Sequence, residues 1–313
     1  MAYLLLLGGL LVLVASGEAL VRGAVGLALR FKISTLVVGM TVVSFGTSAP
    51  ELLVSLQAAL DGHADIALGN VVGSNITNLG LVLGLTAIIF PLAVARNTIR
   101  IDWPVMMLAT VAFYIVIFDK TIGRIEGVLF VTALAVFSYL LIRNSRKEQK
   151  MMQQGGKEFT EEEEQTPVRK SILLVFIGCI GLAFGADWFV DGGVQIASNY
   201  GVSERVIGIT LIAFGTSAPE LVTSCMAAFR KEINISVGNL IGSNLFNILG
   251  VLGVTSIVKA IPVNNNILMT DIYWVLGITL LLFPLMFFDK TISRWDGLLL
   301  LGVYFGYMLF LFW

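Results

Sequence analysis

The sequence predicts an all-α polytopic membrane protein, ten transmembrane helices forming two inverted five-helix repeats. Three observations carry that expectation. The 313 residues are 57% hydrophobic and only 13% charged, against about a quarter charged in soluble domains. The apolar residues gather into ten runs long enough to cross a bilayer. The octapeptide Phe45-Gly46-Thr47-Ser48-Ala49-Pro50-Glu51-Leu52 recurs letter for letter as Phe214 to Leu221, 169 residues later.

The first run, 3–29, is apolar from Tyr3 to Ala15 but has no basic stretch before it and no obvious cleavage site. It reads as a retained helix and not a removable signal. The second run, 34–60, carries the octapeptide. The third, 66–91, carries Gly73-Ser74-Asn75 and Asn78. The fourth and fifth cover 102–118 and 125–142. Five further runs follow at 171–198, 204–229, 235–260, 271–288 and 295–312. Asp102 and Asp271 stand at the starts of the fourth and ninth, where an acid complements the helix dipole. Between the two sets lies a polar segment with Gln153-Gln154-Gly155-Gly156 and Glu161 to Glu164. A charge run of this kind is a solvated linker, too short for a folded regulatory domain. The expected organisation is therefore a first repeat at 1–142, a linker loop at 143–170 and a second repeat at 171–313.

The likeness of the halves extends beyond the octapeptide. At the same offset Glu18 matches Asp187, Gly69-Asn70 matches Gly238-Asn239, and Gly73-Ser74-Asn75 matches Gly242-Ser243-Asn244. Asn78 matches Asn247 and Asp102 matches Asp271, and Phe118–Ile122 matches Phe288–Ile292 after a one-residue shift. An odd number of crossings per repeat turns the second copy upside down. The charges agree. Arg22, Arg30, Lys32, Arg96 and Arg100 correspond to Asp191, Asn199, Gly201, Asn265 and Met269, whereas Arg230 and Lys231 correspond to Asp61 and Gly62. The basic residues change sides while the apolar pattern stays, as the positive-inside rule requires of an inverted copy. With the central loop cytoplasmic, both termini are expected to be extracytoplasmic and the chain to sit in the cell membrane.

Several classes of function fall away. A net charge of −1 without a basic patch gives no footprint for nucleic acid. Cys179 and Cys225 lie in apolar runs and read as small hydrophobes. His63, the one histidine, has no cysteine partners with which to build a zinc or copper site. No cofactor and no obligate protein partner is implied; the lipid bilayer is the surrounding the composition calls for.

The octapeptide is where chemistry concentrates. A carboxylate in hydrocarbon must find partners, and a proline removes one backbone hydrogen bond, freeing the carbonyl at Gly46. Thr47, Ser48 and Glu51 lie on neighbouring helix faces at i, i+3 and i+4 spacing, and in the third run Ser74 and Asn78 stand one turn apart. Thr216, Ser217, Glu220, Ser243 and Asn247 repeat the set. Every donor is a hard oxygen, which suits Na+ and Ca2+. One Ca2+ neutralises the two glutamates; so do two Na+, with a third ion on neutral oxygens. A site balanced when filled and unbalanced when empty resists crossing empty, which is what an exchanger needs. Small hydroxyl residues also serve plain helix packing, and for Ser74 or Thr47 alone that suffices. It does not explain the glutamates, since no Lys or Arg in the core runs is placed to pair with them. Asn70, Asn75, Asn239 and Asn244 are open between ion ligand and helix bridge. Glu18 has Arg22 one turn on, an intrahelical pair, whereas Asp187 has Asp191 there; both read as structural or access residues.

The paired Gly-Thr-Ser-x-Pro-Glu segments, each followed by Gly-Ser-Asn on the next helix, resemble the repeats of the cation/Ca2+ antiporters, and most of all the prokaryotic Na+/Ca2+ exchangers. The resemblance spans essentially the whole chain. It implies that Thr47, Ser48, Glu51, Ser74, Asn78, Thr216, Ser217, Glu220, Ser243 and Asn247 hold the transported cations, and that the first and sixth helices slide against the other eight. Some relatives carry Asp at one of the positions of Asn78 and Asn247; Asn at both speaks against K+ coupling. The large cytoplasmic Ca2+-sensing domain of animal exchangers is absent, so regulation of that type is not expected.

The expected activity is secondary antiport, Na+ entering and Ca2+ leaving, with electrogenic exchange of three for one implied by the resemblance. H+/Ca2+ exchange through the same glutamates is the alternative, because a proton also neutralises a buried carboxylate. The neutral hydroxyl and amide ligands favour Na+, since a proton needs none of them. A passive channel has little need for two oxygen-rich pockets on inverted halves. A hydrolase acting through Ser48 or Ser217 lacks a helical histidine or a lysine placed as base, so the chain does not read as an enzyme.

Overall fold

In hydrocarbon each backbone N–H and C=O must be satisfied within its own segment, so apolar runs of this length become helices. The computed structural model describes residues 1–154, 167–202 and 213–312. Its first half contains α1 (Ala2–Phe31), α2 (Thr35–Thr47), α3 (Ala49–Leu60), α4 (Ala64–Ile89), α5 (Thr98–Asp119) and α6 (Arg124–Gln154). The second contains α7 (Val168–Asn199), α8 (Ala213–Thr216), α9 (Ala218–Phe229), α10 (Ile233–Val258), α11 (Ile267–Asp289) and α12 (Arg294–Phe312). Among the described residues eight helices are long and apolar enough to cross a membrane, or nine if the bent pair α2–α3 is one span. The start of the seventh expected run, before Ala213, and the Glu161–Glu164 stretch lie outside the described residues.

Several helix bounds differ from the sequence reading, two of them with a clear physical reason. The helix begun at Arg124 continues to Gln154, well past the apolar run. The residues that follow Ile142 are mostly Arg, Lys, Glu, Gln and Met, all good helix formers that carry it into the polar segment. And α5 begins at Thr98, so Asp102 closes a π-helical turn (Thr98–Asp102) instead of capping the helix, and is buried. Asp271 likewise ends the π-helical turn Ile267–Asp271, where its carboxylate meets Tyr307.

The packing centres on α4 and α10. Across their most apolar stretches 78% and 83% of the residues are buried, against 11% for α6. Outside them, Leu4, Leu11, Leu129, Phe176 and Leu309 are exposed, as residues facing lipid are. α1 and α7 run antiparallel in close contact, Gly9 against the backbone of Gly185 and Gly23 against Ser171 and Val175. Glu18 on α1 pairs with Arg22, as expected, and also with Arg230 just past α9.

A second close crossing concerns the site. At Gly242 on α10 a Cβ would stand 2.6 Å from Met40 Cα and 2.7 Å from Met40 O. Small residues let backbones approach this closely, and the approach lays α2 along α10.

Two short antiparallel ladders complete the fold. Leu92–Ala93, after α4, pairs with Thr291–Ile292, before α12. Thr121–Ile122, after α5, pairs with Ile261–Pro262, after α10.

Candidate functional site

The breaks in the helices place the polar groups. Between α2 and α3 the axis turns by 44° at Ser48, whose backbone (φ −91°, ψ 8°) departs from helical values. Pro50 in the first turn of α3 accounts for the break, since it has no N–H for the helix ladder and its ring crowds the carbonyl four residues back. Ser217 repeats the conformation (φ −93°, ψ 2°) ahead of Pro219. Each break puts a glutamate in the first turn of the next helix. On the facing helices, π-helical turns at Asn78–Val82 and Phe246–Val251 carry Asn78 and Asn247. Such turns re-aim side chains and recur at functional sites.

The structure brings these groups together across the two halves. Ser48 donates to Glu220 Oε1 at 3.0 Å. Thr47 donates to Asn239 Oδ1 at 3.1 Å and lies 3.4 Å from the Ser243 hydroxyl; both Thr47 and Ser243 face Glu220. Asn247 Nδ2 donates to Asn75 Oδ1 at 3.3 Å. Glu51 and Glu220 are fully buried and near enough for their charges to repel. Among the ten residues expected at the site, Thr47, Ser48, Glu51, Ser74, Asn78, Ser217, Glu220, Ser243 and Asn247 are buried and Thr216 is half-buried.

The electrostatics are one-sided. Neither glutamate is paired with Lys or Arg among the described residues. Both carboxylate oxygens of Glu51, Oε2 of Glu220, Ser217 Oγ, Asn247 Oδ1 and both amide atoms of Asn78 have no hydrogen-bond partner there. Buried polar atoms are ordinarily bonded, and leaving a buried charge unpaired costs several kcal/mol. An oxygen set of this kind is chemically suited to bind cations.

The asparagines left open by the sequence divide. Asn70 bridges helices, donating to the Glu51 carbonyl (3.1 Å) and to Ser55 Oγ (2.9 Å). Asn239 holds Thr47 and also donates to Ser224 Oγ at 3.0 Å. Ser55 and Ser224 were not singled out by sequence, although they too match at the 169-residue offset; that match was the available signal. Asp187 is exposed. Cys179 and Cys225 are free thiols, the latter 3.5 Å from Thr86 Oγ1.

Comparison with known proteins bears on this geometry. The family profile described as "Sodium/calcium exchanger protein" matches residues 1–143 and 170–313. The inner membrane protein YrbG of Escherichia coli (strain K12) is 33% identical over 320 residues, covering 100% of this chain and 97% of its own. The sodium/calcium exchanger MaX1 of Methanosarcina acetivorans is 30% identical over 343 residues, covering 99% and 98%. The solved structure of the sodium-calcium exchanger NCX_Mj, soaked with zero Na+ and Ca2+, aligns with a TM-score of 0.84 at 34% identity over 98% of each chain.

Proposed function

We propose that this chain, which belongs to the sodium/calcium exchanger family, moves Na+ into the cell and Ca2+ out through one buried site, by alternating access. The family makes it a membrane transporter of the cation/Ca2+ antiporter type. The direction, the electrogenic exchange of three Na+ for one Ca2+ and the use of the glutamates are our reading. Glu51 and Glu220 are the central ligands, assisted by Thr47, Ser48, Ser74, Asn78, Thr216, Ser217, Ser243 and Asn247.

The single observation that carries this is the unpaired carboxylate pair. Two buried acids with no basic partner among the described residues are stabilised when a divalent cation, or two monovalent ones, sits between them. Ca2+ and Na+ then compete for the same charge, and competition for one alternately exposed site is what couples their movements.

The same reading extends to the architecture: ten spanning helices in two inverted repeats, 1–142 and 171–313, joined by the 143–170 linker. The crossed ladders support it. Each pairs a loop following the third run of one half with a loop following the fourth run of the other. Copies with the same orientation would put those loops on opposite membrane faces. The charge distribution supports a cytoplasmic linker with both termini outside, in the cell membrane.

The test is 45Ca2+ uptake into proteoliposomes loaded with Na+, with and without an outward Na+ gradient, at clamped pH. Uptake that requires internal Na+ is expected. Uptake driven by a pH gradient and indifferent to Na+ would reassign the protein as an H+/Ca2+ exchanger. Uptake needing no counter-ion, and showing no counterflow, would make it a channel.

A further inference from the structure

We propose that Asn75 is a positioning residue for the ion site: it holds the amide of Asn247 so that the oxygen, and not the NH2 group, faces the transported cation. The inference rests on the reading above, in which Asn247 is a ligand.

An asparagine ends in an acceptor oxygen on one arm and two N–H donors on the other. Only the oxygen attracts a cation, and a half-turn about the last bond replaces attraction by repulsion. Something must choose the arm. At Asn247 the choice is visible. Its Nδ2 donates to Asn75 Oδ1 at 3.3 Å, both residues are buried at 0% and 1% exposure, and Asn247 Oδ1 is left with no hydrogen-bond partner among the described residues. The N–H arm is occupied and the oxygen remains for the site. Partners behind a ligand commonly set its orientation in this way.

The matching pair in the other half behaves differently. Residues 244 and 78 correspond to 75 and 247, yet Asn244 Nδ2 donates to its own helix, at the Leu240 carbonyl, 2.8 Å away. Both amide atoms of Asn78 are then without a partner among the described residues. One amide is held by a partner behind it and the other has no such partner among the described residues.

The experiment is a double-substitution series in proteoliposomes, reading the Ca2+ concentration for half-maximal Na+-dependent uptake and the maximal rate. Asn75→Ala is expected to raise the half-maximal concentration about tenfold, the lower end of what loss of such a partner does to metal affinity, with the maximal rate kept. In an Asn247→Asp background either carboxylate arm presents oxygen, so Asn75→Ala should change affinity by no more than about twofold, the scatter of independent sites. Asn75→Leu keeps the branched shape without the acceptor and gives the same readout should the alanine variant fold poorly. Equal losses in both backgrounds would mean that Asn75 only packs, and no loss in either would mean that it does nothing; both overturn the proposal. Asn247→Ala separates the two levels: if it leaves Ca2+ affinity intact, the ligand assignment itself fails. If it weakens affinity and Asn75→Ala does not, only the positioning role is lost.

Discussion

Replacing Gly242 by alanine adds one methyl group where α10 crosses α2. That methyl would stand 2.6 Å from Met40 Cα, 2.7 Å from Met40 O and 2.7 Å from Ser44 Oγ, against 3.4 Å for ordinary contact. Two of the three atoms are backbone, so no rotamer change relieves the overlap. The α2 backbone must retreat by about 0.8 Å, the difference between those two distances. Thr47 rides on α2. Its 3.1 Å bond to Asn239 and 3.4 Å contact with Ser243 then stretch beyond hydrogen-bonding range. Overpacking of this kind costs about 1–3 kcal/mol of stability. Loss of one hydrogen bond at the site is worth about 1 kcal/mol, or roughly fivefold in affinity. Thermal unfolding in detergent reads the first effect, and the Ca2+ dependence of Na+-driven 45Ca2+ uptake reads the second. Gly302→Ala is the control, because a Cβ there meets nothing within 4 Å among the described residues. A Gly242→Ala protein with wild-type unfolding midpoint and affinity would refute the claim that this crossing sets the position of Thr47.

Three further outcomes follow from the same contacts. Ser48→Ala removes the 3.0 Å bond to Glu220; hydrogen bonds to charged groups are worth about 1.5–3 kcal/mol, so affinity should fall about 10- to 100-fold while transport persists at saturating Ca2+, and complete loss there would point to a role beyond ligation. Glu18→Gln breaks the pairs with Arg22 and Arg230, which are partly exposed; such pairs contribute at most about 1 kcal/mol, so a small drop in melting temperature with exchange retained is expected, and lost exchange would make the pair part of the transport cycle. Ca2+ at 100 times its dissociation constant should stabilise the wild type by about 2.7 kcal/mol, seen as a raised unfolding midpoint, and an equal rise in Glu51→Gln would place the bound ion elsewhere.

Much of this was legible in the sequence, for a physical reason. Spanning helices and the broken octapeptides are local properties, written in runs of neighbouring residues, and the structure places Ser48 and Ser217 in nearly the same conformation before the two prolines. Contacts between distant segments were not legible. The intrahelical Glu18–Arg22 pair followed from spacing, but Arg230, 212 positions away, did not. Equal motifs also concealed unequal contacts: Asn75 and Asn244 are the same residue in the same motif, and one reaches across to Asn247 while the other folds back on its own helix. Helix ends were misjudged where composition and structure part company. Asp102 looked like a cap because the apolar run begins there, whereas the helix starts at Thr98 and buries it.

The central claim is that Ca2+ and Na+ occupy one charge-balanced site built on Glu51 and Glu220. Equilibrium 45Ca2+ binding to the purified protein, titrated with Na+, tests it most directly, with Glu51→Gln and Glu220→Gln measured alongside. One Ca2+ is expected to bind per chain, displaced completely by Na+ with a steep, multi-ion dependence, and neither variant should bind with high affinity. Ca2+ that stays bound at saturating Na+, or binds undiminished to both variants, would contradict that claim.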